Sequence, residues 1–136
     1  MKPSLARLVP LAVALAISIL NTRAQDLDSM PPVVVKTIPE AGAIGVSPGV
    51  TEIKVTFSKP MKDGTWSWST AWQGSAPEAV EKPRYEPDGK TCVLKVTLEP
   101  NRTYGYWLNS ERFKNFKDQQ SKSAVPYLLA FRTNGN

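Results

Sequence analysis

The sequence contains no histidine and only one cysteine among its 136 residues. Without an imidazole group, the chain cannot form a Ser-His or Cys-His catalytic pair, nor the common zinc sites that use histidine. A lone cysteine cannot close a disulfide within the chain, so the stability of the fold has to come from packing. These absences argue against an enzyme and predict no cofactor and no metal, which leaves a binding or structural module.

The sequence also lacks a sustained helical period and an internal repeat. Its length gives room for one small domain. The hydrophobic residues make up 41% of the chain and the charged residues 21%, as in an average globular protein, which argues against general disorder. The chain is therefore expected to fold as a single domain.

Residues 1–24 have the pattern of a secretory signal peptide. Lys2 and Arg7 precede an apolar run over residues 8–20, and Thr22 and Ala24 supply small residues before a cleavage site. The apolar run is well short of the roughly 20 residues that span a bilayer, so an uncleaved anchor is the weaker alternative. We expect a short polar leader at residues 25–30, a folded domain at 31–136, and a protein that is secreted or located in the periplasm or cell envelope, with no stable membrane span after cleavage.

Most of the net positive charge belongs to the signal peptide. Its removal takes three of the 17 basic side chains and none of the 12 acidic ones, so the excess positive charge falls from five to two. The remaining basic residues form only a loose run that Glu111 and Asp118 interrupt: Arg112, Lys114, Lys117 and Lys122. Such a run is typical of a solvated loop, and no nucleic-acid partner is expected.

Apolar and polar residues alternate over several short stretches, which predicts β-strands. Glu52 to Ser58 is the clearest stretch, because Ile53, Val55 and Phe57 fall on one face. Cys92 is in phase with the apolar residues of its own strand, so it is expected to be buried. About seven strands are predicted, near residues 33–38, 52–58, 66–69, 84–86, 91–98, 104–108 and 127–133. Short strands separated by turn residues, with an Asp88-Gly89 hairpin among them, predict an all-β fold, a single antiparallel β-sandwich.

Two groups of motifs belong together in this sequence. The first group is a proline-led strand, a turn-rich link and an alternating strand: Pro32, Val35, Ile38, Pro39, Gly42, Val46, Ile53, Val55, Phe57, Ser58, Pro60 and Met61. The second is a Leu-x-Pro-Asn-x-Thr-Tyr turn with a closing Phe-x-Thr: Leu98, Pro100, Asn101, Thr103, Tyr104, Phe131 and Thr133. Together these motifs resemble the bacterial immunoglobulin-like (Ig-like) domain of the S-layer SbsA type. The resemblance spans residues 31–133 and implies an Ig-like β-sandwich.

The resemblance also implies a location and a kind of role. Such domains act as spacers, adhesive modules or additions to exported and envelope proteins, and they carry no catalytic residues. One departure lies at Asp118-Gln119-Gln120-Ser121-Lys122, where the family often has Asp-x-x-Gly-Asn, so this turn must be built differently. Tyr104 is placed like the tyrosine corner of Ig-like sandwiches, and with Phe57 and Phe131 it is expected to be structural.

Tryptophans are the best candidates for a binding surface. Trp66 and Trp68 are expected to share one strand face, whereas Trp107 should point away from the face of Tyr104. Trp72 lies in a Gly/Ser-rich loop, so Trp72 and Trp107 are the residues expected at the surface, although a role for the tryptophans in the core is the favoured alternative. The acidic residues between strands are expected to be solvated loop charges, without the spacing of a calcium loop: Glu78, Glu81, Glu86 and Asp88.

Two functions follow from these features. The leading hypothesis is an exported, non-catalytic Ig-like module that serves as a structural, adhesive or interaction domain in the cell envelope, with an unidentified envelope protein or polysaccharide as its partner. The alternative is a carbohydrate-binding module that uses exposed tryptophans. A contiguous strip of exposed aromatic residues would favour the alternative.

Overall fold

The computed structural model describes Ser4 and residues 26–136, so the predicted signal peptide lies, apart from Ser4, outside the described residues. A three-residue 3-10 helix at Leu27–Ser29 precedes eight strands. The strands are β1 (Val34–Ile38), β2 (Gly49–Phe57), β3 (Trp68–Thr70), β4 (Glu78–Ala79), β5 (Arg84–Tyr85), β6 (Thr91–Leu98), β7 (Thr103–Leu108) and β8 (Tyr127–Arg132). Within residues 26–136, no helix has the length and apolar character needed to cross a membrane.

The first sheet has five antiparallel strands. β2 lies between β1 and β6, and the two short strands β4 and β5 both pair with β6. β2 and β6 are paired from Gly49 opposite Leu98 to Thr56 opposite Thr91. Because side chains alternate along a strand, this register sends Ile53 and Val55 to the buried side.

The second sheet has three antiparallel strands, with β7 between β3 and β8. Tyr104, Tyr106 and Leu108 of β7 are buried, while Trp107 points to the other side and is half-buried. Residues 42–46 run beside β8 on the side away from β7. Four backbone hydrogen bonds hold them there: Gly42 N–H to Ala130, Arg132 N–H to Ala43, Val46 N–H to Arg132 and Asn134 N–H to Val46.

The inward faces of the two sheets form one core, which confirms the predicted all-β sandwich. Its buried residues include Ile53, Val55, Phe57, Met61, Cys92, Leu94, Val96, Leu98, Tyr104, Tyr106, Leu108, Phe116, Leu129 and Phe131. The number of strands differs from the prediction by one, because Glu78–Ala79 pairs with β6. Two residues are too few to show an alternation, so this strand left no pattern in the sequence. β3 begins at Trp68, and Trp66 lies outside it.

The long segment between β7 and β8 is organised by buried polar side chains. Asn109 is fully buried and adopts a left-handed φ of 56°. Its side-chain amide donates to the carbonyls of Phe116 and Ala124, and its Oδ1 accepts from the N–H of Phe116 at 2.8 Å. These bonds satisfy the backbone groups of a segment that contains no helix or strand.

Asp118 builds the turn that departs from the family pattern. Its Oδ1 accepts from the backbone N–H groups of Gln120 and Lys122, both at 2.9 Å, and Ser121 adopts φ 63°. The Lys59 ammonium lies 2.8 Å from Oδ2 of this fully buried carboxylate. Lys59 also donates to the carbonyls of Asp28 and Met30, so the pair fastens the start of the described chain to the sandwich.

Candidate functional site

The outer face of the five-stranded sheet carries three ion pairs, two that reach from β2 across β6 to β5 and the residue after it, and one between β6 and the loop before β5. Lys54 pairs with Glu86 at 2.6 Å, and Arg84 pairs with Glu52 at 2.8 Å. A third pair on β6 joins Lys95 and Glu81 at 3.4 Å. Exposed pairs of this kind add little stability, but they leave a charged and hydrated surface on this side of the sandwich.

The acidic residues between strands therefore differ in part from the prediction of simple solvated loop charges. Glu81 and Glu86 belong to the ion pairs just described. Asp88 stabilises its hairpin turn by accepting from the N–H groups of Lys90 and Thr91. These hydrogen bonds hold the pKa of the Asp88 carboxyl below its ordinary value. Among the described residues, no cluster of acidic or cysteine side chains has the arrangement of a metal site.

The outer face of the three-stranded sheet is different, because it carries aromatic and aliphatic side chains. Trp107 on β7 lies opposite Ser69 on β3 and opposite Leu128 on β8. Leu128 is 42% exposed. Side chains that are directly opposite on neighbouring strands share one face, so the Trp107 indole and Leu128 form a continuous apolar surface.

Trp72 joins this surface from the loop after β3. Its ring lies against Gly105, where an added Cβ would stand 2.4 Å from the nearest ring atom. Gly105 and Trp107 are two residues apart on β7, so they face the same side and are about 7 Å apart along the strand. Trp72 itself is 43% exposed. We call the surface formed by Ser69, Trp72, Gly105, Trp107 and Leu128 the aromatic face.

Ser75 fixes the loop that carries Trp72. Its buried hydroxyl donates to the carbonyl of Gly105 at 2.8 Å and accepts from the backbone N–H groups of Ala71 and Trp72. The N–H of Gly105 donates in return to the Ser75 carbonyl at 2.9 Å. The Trp72 ring is thus held on the sheet by a loop whose polar groups are satisfied, which gives a preorganised surface.

An open groove of about 560 Å³ runs beside Trp107. It is lined by the polar residues Ser69, Thr70 and Ser110 together with Arg112 and Phe113. A tight turn presents the last two residues, because Ser110 and Phe113 exchange backbone and side-chain hydrogen bonds. The Arg112 guanidinium lies over the Phe113 ring, 5.3 Å from its centre, and Phe113 is 52% exposed.

A second hollow of about 430 Å³ lies along Trp107 and Arg112 and is also lined by Glu111 and Pro126. Trp107 and Arg112 therefore border both depressions.

The two tryptophans that the sequence favours as surface residues, Trp72 and Trp107, are brought together on one face, and the turn with Arg112 and Phe113 adds to it. The groove residues Arg112 and Phe113 were not singled out as binding residues from sequence, although a bulky apolar residue in a polar loop is a signal that could have indicated them.

The other residues singled out from sequence lie inside the sandwich. Tyr104 is 1% exposed, and its hydroxyl accepts from the backbone N–H of Glu99 at 2.7 Å. Its ring is 5.8 Å from that of Phe131, and Phe57 packs against Phe116 at 4.9 Å. These contacts link the turn before β7 to the core, and they give Tyr104, Phe57 and Phe131 no access to a ligand.

Trp66 and Trp68 are half-buried and pack against the core, with the Trp68 indole edge-on to Tyr106 at a ring distance of 5.4 Å.

Burial raises the pKa of the Cys92 thiol to about 12, so this thiol stays protonated at neutral pH and is a poor nucleophile. The aromatic face and the groove beside it offer indoles, hydroxyls and a guanidinium. These groups can stack and donate hydrogen bonds, whereas acid-base catalysis near neutral pH needs other groups.

The fold and this face together define a small β-sandwich domain with one aromatic outer surface. The sequence model of the bacterial Ig-like domain matches residues 28–133, and the chain belongs to this family. The family resemblance drawn from the motifs is thereby confirmed at the level of the bacterial Ig-like domain. Members of the family are generally non-catalytic and are often extracellular or associated with the envelope. A comparison with curated proteins finds no match.

Proposed function

We propose that the protein is an exported, non-catalytic Ig-like module of the SbsA type that serves as an interaction domain in the bacterial cell envelope. The family membership supports the module, and the charged, apolar and small-residue pattern of residues 1–24 supports export. The partner is an envelope protein or polysaccharide.

The difference between the two outer faces is the observation that carries this proposal. The outer face of one sheet presents ion pairs together with the exposed Val50, and the other presents the exposed Trp72 and Leu128 beside the half-buried Trp107. A sandwich that needed only to remain soluble would gain nothing from two indoles placed together on one side. Contiguous exposed apolar groups of this kind are typical of contact surfaces.

A second candidate function, carbohydrate binding, is favoured by the geometry of the two indoles. Trp72 and Trp107 lie on one face at positions two residues apart along β7. Flat aromatic rings at this spacing can stack on successive rings of a sugar chain, while the hydroxyl of Ser69, which shares the face of Trp107, can form hydrogen bonds with it.

Two measurements test these proposals. Mass spectrometry of the exported protein should find an amino terminus near Gln25, and a full-length species retained in membranes would contradict export. Electrophoresis through gels that contain soluble envelope polysaccharide should show slower migration of the wild type than of Trp72→Ala or Trp107→Ala. Val50→Ala is the control, since Val50 is 63% exposed on the other sheet. Equal migration of the wild type and all variants would exclude carbohydrate binding for these polymers. Protein binding would then be the remaining candidate function.

A further inference from the structure

Two arginines near the aromatic face have no ion-pair partner. Among residues 26–136, Lys54, Arg84 and Lys95 of the other sheet each have an acidic partner within 4 Å, whereas Lys36 on β1 of that sheet has none. Arg112, at the groove beside Trp107, has no such partner among the described residues. Its guanidinium is exposed and stacked on Phe113, so its five N–H donors remain available to a ligand.

A second guanidinium lies at the opposite end of the same surface. Arg132 on β8 is exposed and is opposite Thr103, which is two residues before Gly105 and four before Trp107 on β7. Arg132 also lacks an ion-pair partner among the described residues. The order along the surface is therefore Arg112, Trp107, Trp72 and Arg132, with the stacking groups between two unpaired cations.

We infer that the aromatic face binds an anionic polysaccharide, one whose sugar rings carry carboxylates. The indoles of Trp72 and Trp107 stack on the sugar rings, and Arg112 holds a carboxylate through charge-assisted hydrogen bonds that its planar fork can make in pairs. Arg132 attracts the next acidic unit. This inference rests on the carbohydrate-binding candidate above and adds the chemical class of the ligand.

Other features of the groove agree with a sugar acid as the occupant. The groove is open to solvent, so a chain can lie over it, and the hydroxyl of Ser69, on the same face as Trp107, offers hydrogen bonds to sugar hydroxyls. One residue opposes the inference: Glu111 lines the hollow on the other side of Trp107 and Arg112. Its carboxylate lowers the local positive potential. Removing that charge should therefore strengthen the binding of an acidic polymer.

The test uses polymers that share a sugar backbone and differ in charge. Polygalacturonate is compared with its methyl ester, and C6-oxidised cellulose, a polyglucuronate, with neutral hydroxyethyl cellulose. The retardation of the exported protein in gels that contain each polymer gives an apparent affinity. We expect binding to the two acidic polymers, weaker binding to the two neutral ones, and a loss of the difference at high salt because ionic screening weakens exposed contacts.

Single substitutions then show which charged residue contacts the acidic polymers. Arg112→Gln should lower the apparent affinity for the acidic polymers about tenfold and that for the neutral polymers by much less, so the difference between them should shrink. Glu111→Gln should raise the affinity for the acidic polymers. Lys82→Gln is the matched control, because it removes one exposed positive charge from the loop between β4 and β5. Thermal unfolding of each variant shows that the fold is retained.

The outcomes separate the two proposals. Equal binding of acidic and neutral polymers that requires Trp107 would overturn the anionic ligand and keep the carbohydrate-binding candidate. If the protein binds none of the four polymers, both the anionic ligand and the carbohydrate-binding candidate are overturned. A protein is then the remaining kind of partner. Equal losses of affinity in Arg112→Gln and Lys82→Gln would show that overall charge, rather than this groove, attracts the polymer, and would also overturn the inference.

Discussion

Trp72 covers Gly105 so closely that a methyl group on Gly105 would stand 2.4 Å from the indole ring. The missing side chain at position 105 is therefore what allows Trp72 to lie on the sheet. The atoms that would clash are at the far end of the Trp72 side chain, which can rotate away, whereas the backbone of β7 is fixed by pairing on both sides. The position of the ring should thus be more sensitive to this glycine than the fold is.

Gly105→Ala should displace the Trp72 ring into solvent at a cost of about 1 kcal/mol in the free energy of unfolding. Acrylamide quenching of tryptophan fluorescence should increase, and retention on any ligand of the aromatic face should fall. The background Trp72→Ala is the control, because an alanine at position 105 then meets no ring and should cost less. Equal costs in both backgrounds would show that the ring does not depend on Gly105.

Tyr104→Phe should lower the free energy of unfolding by about 1 to 3 kcal/mol, because the Glu99 N–H loses its acceptor. Denaturant midpoints measure the change. Tyr127→Phe is the matched control, since the Tyr127 hydroxyl has no hydrogen bond among the described residues. A loss below about 0.3 kcal/mol for Tyr104→Phe would show that the hydroxyl does not stabilise the turn.

Asp118→Asn should lower stability at neutral pH by about 3 kcal/mol, because the Lys59 ammonium loses its buried counter-charge. Burial alone would raise the pKa of the Asp118 carboxyl. The Lys59 ammonium and the N–H groups of Lys122 and Gln120 outweigh burial and hold the pKa below the ordinary value. The contribution of this carboxylate is therefore complete above the unfolded-state pKa of about 3.9, and it is lost as the pH falls through the lower pKa of the folded state.

Stability measured between pH 7 and pH 2 should consequently fall more steeply at the acidic end in the wild type than in Asp118→Asn. Asp88→Asn is a useful comparison, because the pKa of the Asp88 carboxyl is also lowered but that group is exposed. Asp88→Asn should therefore change the stability over the same pH range by less than Asp118→Asn does. Parallel stability curves for the wild type and Asp118→Asn would contradict an important role for the buried pair.

The sequence predicted the parts of the fold that depend on local pattern. The alternation around Ile53 and Val55 located β2, and the turn before Tyr104 placed that residue in the core. Trp107 was expected to point away from Tyr104 for the same reason, namely the two-residue period of a strand. Signals of this type lie within a few neighbouring residues and need no knowledge of the partner strand.

The details that shape the candidate site could not be read in this way. The Ser75 hydroxyl is bonded to a carbonyl 30 residues away, at Gly105, and nothing around Ser75 in the sequence distinguishes it from a serine in any loop. Asp118 reads as one more charge in a polar segment, because its partner Lys59 is brought to it by the packing of the sheets. Such contacts arise only when the chain is folded.

The segment at residues 42–46 has a consequence for how copies of this domain can meet. Its bonds to Ala130 and Arg132 use the outward backbone groups of β8, so a neighbouring molecule finds no free strand edge there on which to extend the sheet. β3, on the opposite side of the same sheet, is only three residues long and offers a short template. Crowded copies are thus protected from edge-to-edge polymerisation at Ala130 and Arg132 of β8 by their own chain.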